Sequence, residues 1–244
     1  MPEIAPPNIF IALKHNLLSL FRVLALCTFA ITSHGAEPQK AIFAGGCFWC
    51  MEPPFDELEG VLDTVSGYTG GHVPNPDYKE VSSGKTGHTE AVEVTYDPDR
   101  VSYEKLLEVF WRNIDPLDGG GQFCDRGSQY RSEIFYLTPQ QKAAAEKSKQ
   151  QLIEDDNLPF AESGIATQIT QAHVFFPAED YHQNYYQTNP KRFKFYKWNC
   201  GRQKRLDALW GNKICIKNHF RLTIISSKSI PRPPGISFTF LRNA

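Results

Sequence analysis

The sequence has 244 residues, of which 41% are hydrophobic and 13% aromatic, and this is enough apolar material for a globular core. The net charge of -1 is unevenly distributed, because residues 37–212 hold 18 Lys/Arg against 26 Asp/Glu whereas residues 213–244 hold six Lys/Arg and no acid. The only basic cluster lies in that tail with no recognition motif beside it. The composition therefore argues against a nucleic-acid-binding protein.

The N-terminal region contains an apolar run from Leu17 to Thr32, preceded by Lys14 and broken by Arg22. This pattern predicts a signal peptide over residues 1–36 and an exported protein, periplasmic or secreted. A core helix is the structural alternative, and a true start downstream would leave a cytoplasmic protein. The expected organisation is this segment, a catalytic domain over residues 37–212 and a basic tail over residues 213–244.

The middle of the chain alternates strand and helix patterns. Lys40 to Gly46 reads as a buried strand ending in a glycine turn, with a helix beginning at the cysteines that follow. The other predicted elements are strands at Val61–Tyr68, His88–Tyr96, Tyr130–Leu137 and Ile165–Ile169, helices at Tyr103–Asn113, Pro139–Glu154 and Arg205–Trp210, a short helix over residues 178–187, and a loop at Gly70–Asp77. Such alternation predicts a two-layer α/β domain around a mixed sheet.

The chain has six cysteines, and five would remain after loss of the signal peptide. An odd number in an exported protein argues against a purely structural disulfide framework, so at least one thiol should be free or reactive. Cys47 follows Gly45 and Gly46 at a strand-turn-helix junction, where the helix macrodipole favours a thiolate. A buried structural cysteine is the alternative interpretation.

Glu90 is the candidate acid. It lies in the strand HTEAVEV and shares one face with Val92 and Val94 by the two-residue period. Burial beside valines should raise the pKa of this carboxyl and keep it protonated. The alternative is a solvated position at the edge of the sheet.

Six motifs then appear in order between residues 42 and 210, namely GCFWCME, GYTGG, NPDYKEV, TGHTEAVEVTYDP, DRGSQYRS and PAEDYHQNYY. In this respect the chain resembles the type A peptide methionine sulfoxide reductases and their ferredoxin-like α/β fold. The resemblance implies that Cys47 attacks the sulfur of methionine S-sulfoxide and that Glu90 supplies a proton. It further implies that Phe48 and Trp49 line a pocket for the substrate methyl group. Tyr78 and Tyr130 would donate hydrogen bonds to the sulfoxide oxygen, and Asp125 would be an acidic residue near the substrate.

The same resemblance implies no cofactor and no metal, free or protein-bound methionine sulfoxide as substrate, a thioredoxin-like dithiol as external reductant, and a monomer. Tyr78 and Tyr130 taken singly would be ordinary half-buried tyrosines, and Asp125 could instead cap the turn DRGS. His88 and His182 are expected to make structural hydrogen bonds, because neither has partners at metal-ligand spacing.

A resolving thiol must return Cys47 from sulfenic acid to thiol. Cys200 is the preferred candidate, because it lies in KWNCGRQKR beside a mobile glycine and several cations. Cys50, Cys215 and Cys124 remain alternatives, as does direct recycling, and Cys124 is expected to be a buried small residue.

Two other protein classes compete with this interpretation. CFWC is a CxxC motif, so a thioredoxin-like oxidoreductase is the nearest rival, although that reading leaves Glu90 and the tyrosines without a role. A zinc module would need Cys47, Cys50, Cys124 and Cys200, whose spacing is wide and irregular. Haem attachment is excluded because Met51, not histidine, follows the second cysteine.

Overall fold

The computed structural model describes residues 35–160 and 164–211. These residues form a six-stranded sheet in the order β7-β6-β1-β3-β2-β8, in which only the β6–β7 pair is parallel. The strands are β1 (Gln39–Gly45), β2 (Val61–Thr69), β3 (Thr89–Tyr96), β4 (Gly121–Gln122), β5 (Asp125–Arg126), β6 (Ser132–Tyr136), β7 (Gln168–Gln171) and β8 (Phe176–Pro177), with β4 and β5 forming a separate two-stranded ribbon.

Seven helices accompany the strands in the described part of the chain. They are α1 (Phe48–Asp56), α2 (Tyr78–Ser82), α3 (Tyr103–Arg112), α4 (Pro139–Glu154), α5 (Tyr185–Thr188), α6 (Pro190–Asn199) and α7 (Arg202–Trp210). The predicted α/β class with a mixed sheet is confirmed. None of these helices is long and apolar enough to cross a membrane.

The alternation of side chains along β1 divides the core into two clusters. Phe43 lies in the main cluster, stacked on Phe55 of α1 and Phe110 of α3 with ring centroids 5.1 and 5.2 Å apart. Ile42 points to the other face, in a smaller cluster with Phe135. The helices therefore pack mainly on one face, which fixes the start of α1 against the end of β1.

The pairing of β2 with β3 positions the acidic candidate. Tyr68 lies opposite Glu90 in this antiparallel register, and Thr69 lies opposite Thr89. Glu90 thus lies near the end of a central strand, on the same face as the core valines Val92 and Val94, as the two-residue period predicts.

Several predicted boundaries are wrong for local reasons. The strand predicted from Tyr130 begins at Ser132 because residues 128–130 form a 3₁₀ turn, and the strand predicted at Ile165 begins at Gln168. The short helix predicted over residues 178–187 is interrupted, because Asn184 adopts a left-handed conformation with φ 50°. Helices α2 and α6 are absent from the prediction. The signal peptide and the basic tail lie outside the described residues.

Candidate active site

The junction between β1 and α1 presents Cys47 at the start of the helix. Gly46 has φ +83°, a conformation that other residues rarely adopt, and a β-carbon there would lie 2.5 Å from Cβ of Gln122. Cys47 is the residue preceding the first helical turn, and only 6% of it is exposed. The two glycines thus allow the turn that brings this thiol to the helix end, as the sequence predicts.

Glu90 lies beside that turn. Its Oε2 accepts a hydrogen bond from the backbone N–H of Phe48 at 3.1 Å, and the residue is 2% exposed. Burial raises the pKa of Glu90 to about 8, although the hydrogen bond from Phe48 lowers it in part. The carboxyl is therefore mostly protonated at neutral pH, next to the residue that follows Cys47, which is the arrangement predicted for the acid.

Tyr78 and Tyr130 are half-buried around the same carboxyl. Burial, then Glu90 and Cys47, raise the pKa of Tyr78 to about 12. Burial, followed by Glu90 and Tyr78, also raises the pKa of Tyr130. Both phenols therefore stay protonated and can donate hydrogen bonds toward the space beside Cys47.

Cys50 lies one helical turn after Cys47. Its N–H donates to the carbonyl of Cys47 at 3.0 Å. Burial raises the pKa of Cys47, whereas the neighbouring Cys47 thiol, with Arg202 and Lys197 nearby, lowers the pKa of Cys50 to about 7. Desolvation of Cys47 therefore opposes the thiolate that the helix macrodipole favours.

An aromatic wall follows the cysteine. Phe48 is buried and packs against His182 with ring centroids 4.9 Å apart, whereas Trp49 is half-buried. Trp49 stacks on Tyr185 at 3.7 Å with an interplanar angle of 6°, and its Nε1 donates to Nδ1 of His182 at 3.1 Å. These contacts fix the indole ring, and they give His182 the structural hydrogen bond predicted for it.

His88 also makes structural contacts. Its Nδ1 accepts the N–H of Gly71 at 3.1 Å, and its Nε2 lies 2.7 Å from the carbonyl oxygen of Val73. The ring thereby ties the glycine-rich loop to β3. Both histidines are used by the fold in the way that the sequence predicts.

Two residues that the sequence did not single out, Glu52 and Tyr185, contact the segments that form the aromatic wall. Glu52 is fully buried on α1, and its Oε1 accepts the N–H of Asn184 at 3.1 Å while Oε2 has no partner among the described residues. Burial raises the pKa of Glu52 to about 7. Tyr185 stacks on Trp49. Both occur in the motifs GCFWCME and PAEDYHQNYY, but their roles depend on a tertiary contact that a pattern does not reveal.

Asp125 lies close enough to Glu90 for its charge to contribute to the raised pKa of that carboxyl. Its Oδ2 accepts the Tyr196 hydroxyl at 2.5 Å, and the Tyr196 ring meets Trp49 edge-on at 6.0 Å. Burial raises the pKa of Asp125, while the Tyr196 hydrogen bond and Arg202 oppose that rise. Asp125 thus joins the walls of the site instead of only capping its own turn, and Tyr196 is a further site residue without a sequence signal.

Cys124 and Cys200 form a disulfide with their Cα atoms 5.0 Å apart. Cys124 is exposed, so its interpretation as a buried small residue is wrong. Cys47 and Cys50 are the free cysteines of the described residues. The structure therefore brings Cys50 to Cys47, and a direct attack by Cys200 on Cys47 would first require opening of the Cys124–Cys200 bond.

The same bond weighs against the zinc module. Cys124, Asp125 and Cys200 are the one group of possible metal ligands within reach of each other in the described ranges. Two of its three members have their sulfur atoms joined to each other, and a thiolate ligand must be free of such a bond. Four thiolates are thus not available together.

Comparison with known proteins identifies the family. A family model described as peptide methionine sulfoxide reductase matches residues 39–214. The peptide methionine sulfoxide reductase MsrA of Bacillus licheniformis is 53% identical over 72% of this chain and 95% of its own length. The chain belongs to the MsrA family of peptide methionine sulfoxide reductases.

Solved structures agree with this assignment. The methionine sulfoxide reductase A of Corynebacterium diphtheriae is 35% identical with a TM-score of 0.56, covering 65% of this chain and 77% of that one. The reduced form of Mxr1 from Saccharomyces cerevisiae is 29% identical with a TM-score of 0.59, covering 67% of this chain and 92% of that one. The activity of this MsrA is thus the reduction of peptide methionine sulfoxide, which decides against the thioredoxin-like alternative.

Proposed function

We propose that this MsrA reduces the S epimer of methionine sulfoxide, free or in oxidised proteins, by attack of Cys47 at sulfur with Glu90 as the proton donor. The observation that carries the proposal is the buried Glu90 carboxyl, which accepts the N–H of the residue that follows Cys47 and whose pKa is raised to about 8 by burial. The choice of epimer rests on the family resemblance.

The aromatic wall supplies the binding site for the substrate methyl group. Phe48 and Trp49 present apolar surface beside the thiol, and Tyr185 and His182 hold the indole in place. Transfer of the substrate methyl group from water to such an apolar surface is favourable in free energy, whereas the polar sulfoxide oxygen needs hydrogen-bond donors. The substrate is therefore oriented with its methyl on the rings and its oxygen toward Glu90, Tyr78 and Tyr130.

The reduction step requires protonation of that oxygen. A sulfoxide oxygen leaves sulfur only when it is protonated or strongly hydrogen-bonded, so a neutral carboxyl beside two phenols suits the reaction. Cys47 loses its proton to the neighbouring Cys50 sulfur as it attacks, which joins the Cys47 sulfur to the substrate sulfur, and Glu90 protonates the oxygen. The oxygen then moves from the substrate sulfur to Cys47. The substrate S–O bond and the transient S–S bond both break in this step, so the thioether is released and Cys47 is left as sulfenic acid.

Regeneration begins with Cys50. It lies one helical turn after Cys47, and its pKa of about 7 makes it a nucleophile at neutral pH. Attack on the sulfenic sulfur forms the Cys47–Cys50 disulfide and releases water. Cys200, which the sequence favours for this step, stays the competing candidate. A thioredoxin-like dithiol supplies the two electrons that close the cycle.

The protein is further proposed to act outside the cytoplasm as a monomer. Export is supported by the apolar run at Leu17 to Thr32. Mass spectrometry of the mature chain should show loss of the first 35 or so residues, and an intact N-terminus in a cytosolic fraction would contradict export. Light scattering should give the mass of a single chain.

The test of the activity uses the two epimers of a blocked methionine sulfoxide with dithiothreitol as reductant. The wild type should consume the S epimer and leave the R epimer. Equal consumption of both epimers would contradict the proposed specificity, and activity that survives Cys47→Ser would contradict the proposed nucleophile.

A further inference from the structure

Trp49 is held on two sides by one short segment of the chain. Its Nε1 donates to Nδ1 of His182 at 3.1 Å, and its ring stacks on Tyr185 at 3.7 Å with an interplanar angle of 6°. Only Gln183 and Asn184 separate these two contacts along the chain. The position of the indole ring, and with it the size of the site for the substrate methyl group, therefore depends on the path of this segment.

The backbone of the segment is held in a conformation that it does not adopt freely. Asn184 has φ 50°, in the left-handed region, which is costly for a residue other than glycine and persists where surrounding contacts hold it. Asn184 directly precedes α5, so its conformation sets the direction in which that helix and its first residue, Tyr185, continue. Contacts at Asn184 thus decide where the Tyr185 ring lies.

Two side chains hold the segment at this point. Gln183 is fixed to β2, because its Oε1 accepts the N–H of Ser66 and its Nε2 donates to the carbonyl of Ser66, both at 2.9 Å. Glu52 of α1 accepts the N–H of Asn184 at 3.1 Å. The first contact ties the segment to the sheet, and the second ties it to the helix that carries Trp49.

Glu52 lies three residues after Trp49 on α1, and side chains at that spacing share one face of a helix. It is 0% exposed, and its Oε2 has no hydrogen-bond partner among the described residues. Burial of a carboxyl is unfavourable in free energy unless the group is hydrogen-bonded. The N–H of Asn184 offsets part of this cost, so the buried acid is matched to the segment that holds Trp49.

We propose that Glu52 is a positioning residue that determines how large an alkyl group the aromatic wall accepts beside Cys47. It holds Asn184, and through it the Tyr185 ring, so that Trp49 lies flat against that ring and the site closes around a methyl group. This inference rests on the proposed function, because that function places the substrate methyl group on the aromatic wall. It adds the buried residue that keeps the wall closed.

Comparison of two substrates that differ by one methylene tests the size of the site. They are the S epimers of blocked methionine sulfoxide and blocked ethionine sulfoxide, which carry a methyl and an ethyl group at sulfur. One methylene in a fitted apolar pocket commonly changes kcat/KM by roughly 10- to 200-fold. With dithiothreitol as reductant, the wild type should therefore prefer the methyl substrate by about tenfold or more in kcat/KM.

Glu52→Leu removes the acceptor and keeps an apolar side chain of similar size. Because the Asn184 N–H loses its partner, the Tyr185 ring should shift and the preference for the methyl substrate should fall by about threefold or more. The KM for the methyl substrate should rise. The single-turnover rate at saturating substrate should stay within about threefold, because the proton donor and the nucleophile are unchanged.

Glu52→Gln tests whether the acceptor is the feature that matters. Its amide oxygen can still accept the N–H of Asn184, which lies 3.1 Å from the carboxyl oxygen that it replaces. This variant should keep the wild-type preference for the methyl substrate within about twofold. A loss of preference as large as that in Glu52→Leu would contradict the assigned contact.

Tyr186→Phe is the matched control. It removes another hydrogen bond between α5 and α1, in which the Tyr186 hydroxyl donates to Oδ2 of Asp56 at 2.9 Å. That bond lies beyond Tyr185 and does not involve the backbone of Asn184. The control should keep the preference within about twofold, and a fall as large as that in Glu52→Leu would contradict a specific role for Glu52.

The remaining outcomes separate this inference from the proposed function. A preference that persists in Glu52→Leu would overturn the role of Glu52 and leave the proposed function intact. A wild type that reduces both substrates equally well would overturn the methyl site and this inference together.

Glu52→Met, with a flexible side chain of similar length, repeats the test if Glu52→Leu does not fold. An equal fall in kcat/KM for both substrates would assign Glu52 to the stability of the domain and contradict the proposal. Failure of both variants to fold would do the same.

Discussion

Replacement of Glu90 by glutamine exchanges the acidic OH of the carboxyl for an NH2 group that cannot act as an acid, with little change in shape. Glutamine has nearly the same shape, and its side-chain oxygen can still accept the N–H of Phe48, which Glu90 accepts at 3.1 Å. Since the amide cannot protonate the sulfoxide oxygen, the substitution separates the acid from the scaffold. We expect Cys47 and the aromatic wall to remain in place.

The pKa sets the size of the effect. With a pKa of about 8, about 90% of Glu90 is protonated at pH 7, against roughly 0.3% at the ordinary value of 4.5. Burial therefore raises the population of the acid roughly 300-fold, and loss of a positioned acid commonly costs 10²- to 10⁴-fold in rate. Glu90→Gln should slow the reduction step by roughly 10²- to 10³-fold at pH 7.

Single-turnover measurement of the S epimer over pH 6 to 10 is the assay. In the wild type the rate should fall as pH rises through about 8, because Glu90 loses its proton there. Glu90→Gln should lack this decrease. A loss of less than about threefold, or a decrease near pH 8 that persists in the variant, would refute the assignment of Glu90 as the acid.

The stability of the protein provides three further predictions, and the first concerns the same carboxyl. Because its pKa is raised from 4.5 to about 8, ionisation destabilises the fold progressively between those pH values, by about 5 kcal/mol at most, so Glu90→Gln should raise Tm at pH 9 and not at pH 4.5. Trp49→Phe removes the 3.1 Å hydrogen bond to His182, and should raise the KM for substrate while lowering stability by about 1 kcal/mol in urea unfolding. Phe43→Ala, in the main core, should lower stability by about 3–5 kcal/mol in the same assay. Equal gains in Tm at both pH values would contradict the prediction for Glu90→Gln, and an unchanged KM would contradict that for Trp49→Phe. A loss of stability under about 1 kcal/mol would contradict the prediction for Phe43→Ala.

The sequence predicts those features of the molecule that depend on a local pattern of residues. The two-residue period of HTEAVEV placed Glu90 on the apolar face of β3, and the structure confirms both the burial and the raised pKa. The pair Gly45-Gly46 predicted the turn before Cys47, which the left-handed Gly46 bears out. A local pattern is enough when the position of a residue depends only on one strand or turn and on the face of the sheet to which it points.

The missed features depend on contacts between distant segments. Helix α6 buries no residue, so it has no hydrophobic period to detect. Cys124 and Cys200 are separated by 76 residues, and the spacing of cysteines does not give their pairing. The expected thiolate at Cys47 followed from the helix end alone, whereas its burial and its contact with Cys50 appear only in the folded chain.

The central claim is that Cys47 takes the oxygen from the substrate and that Cys50 then resolves the product. Mass spectrometry of protein mixed with one equivalent of the S epimer, without reductant, tests both parts at once. In the fully reduced protein with all its cysteines, we predict a Cys47–Cys50 disulfide, and a sulfenic acid on Cys47 when Cys50 is replaced by serine. A Cys47–Cys200 disulfide in the parent protein, or a Cys47 that stays reduced while substrate is consumed, would contradict this prediction.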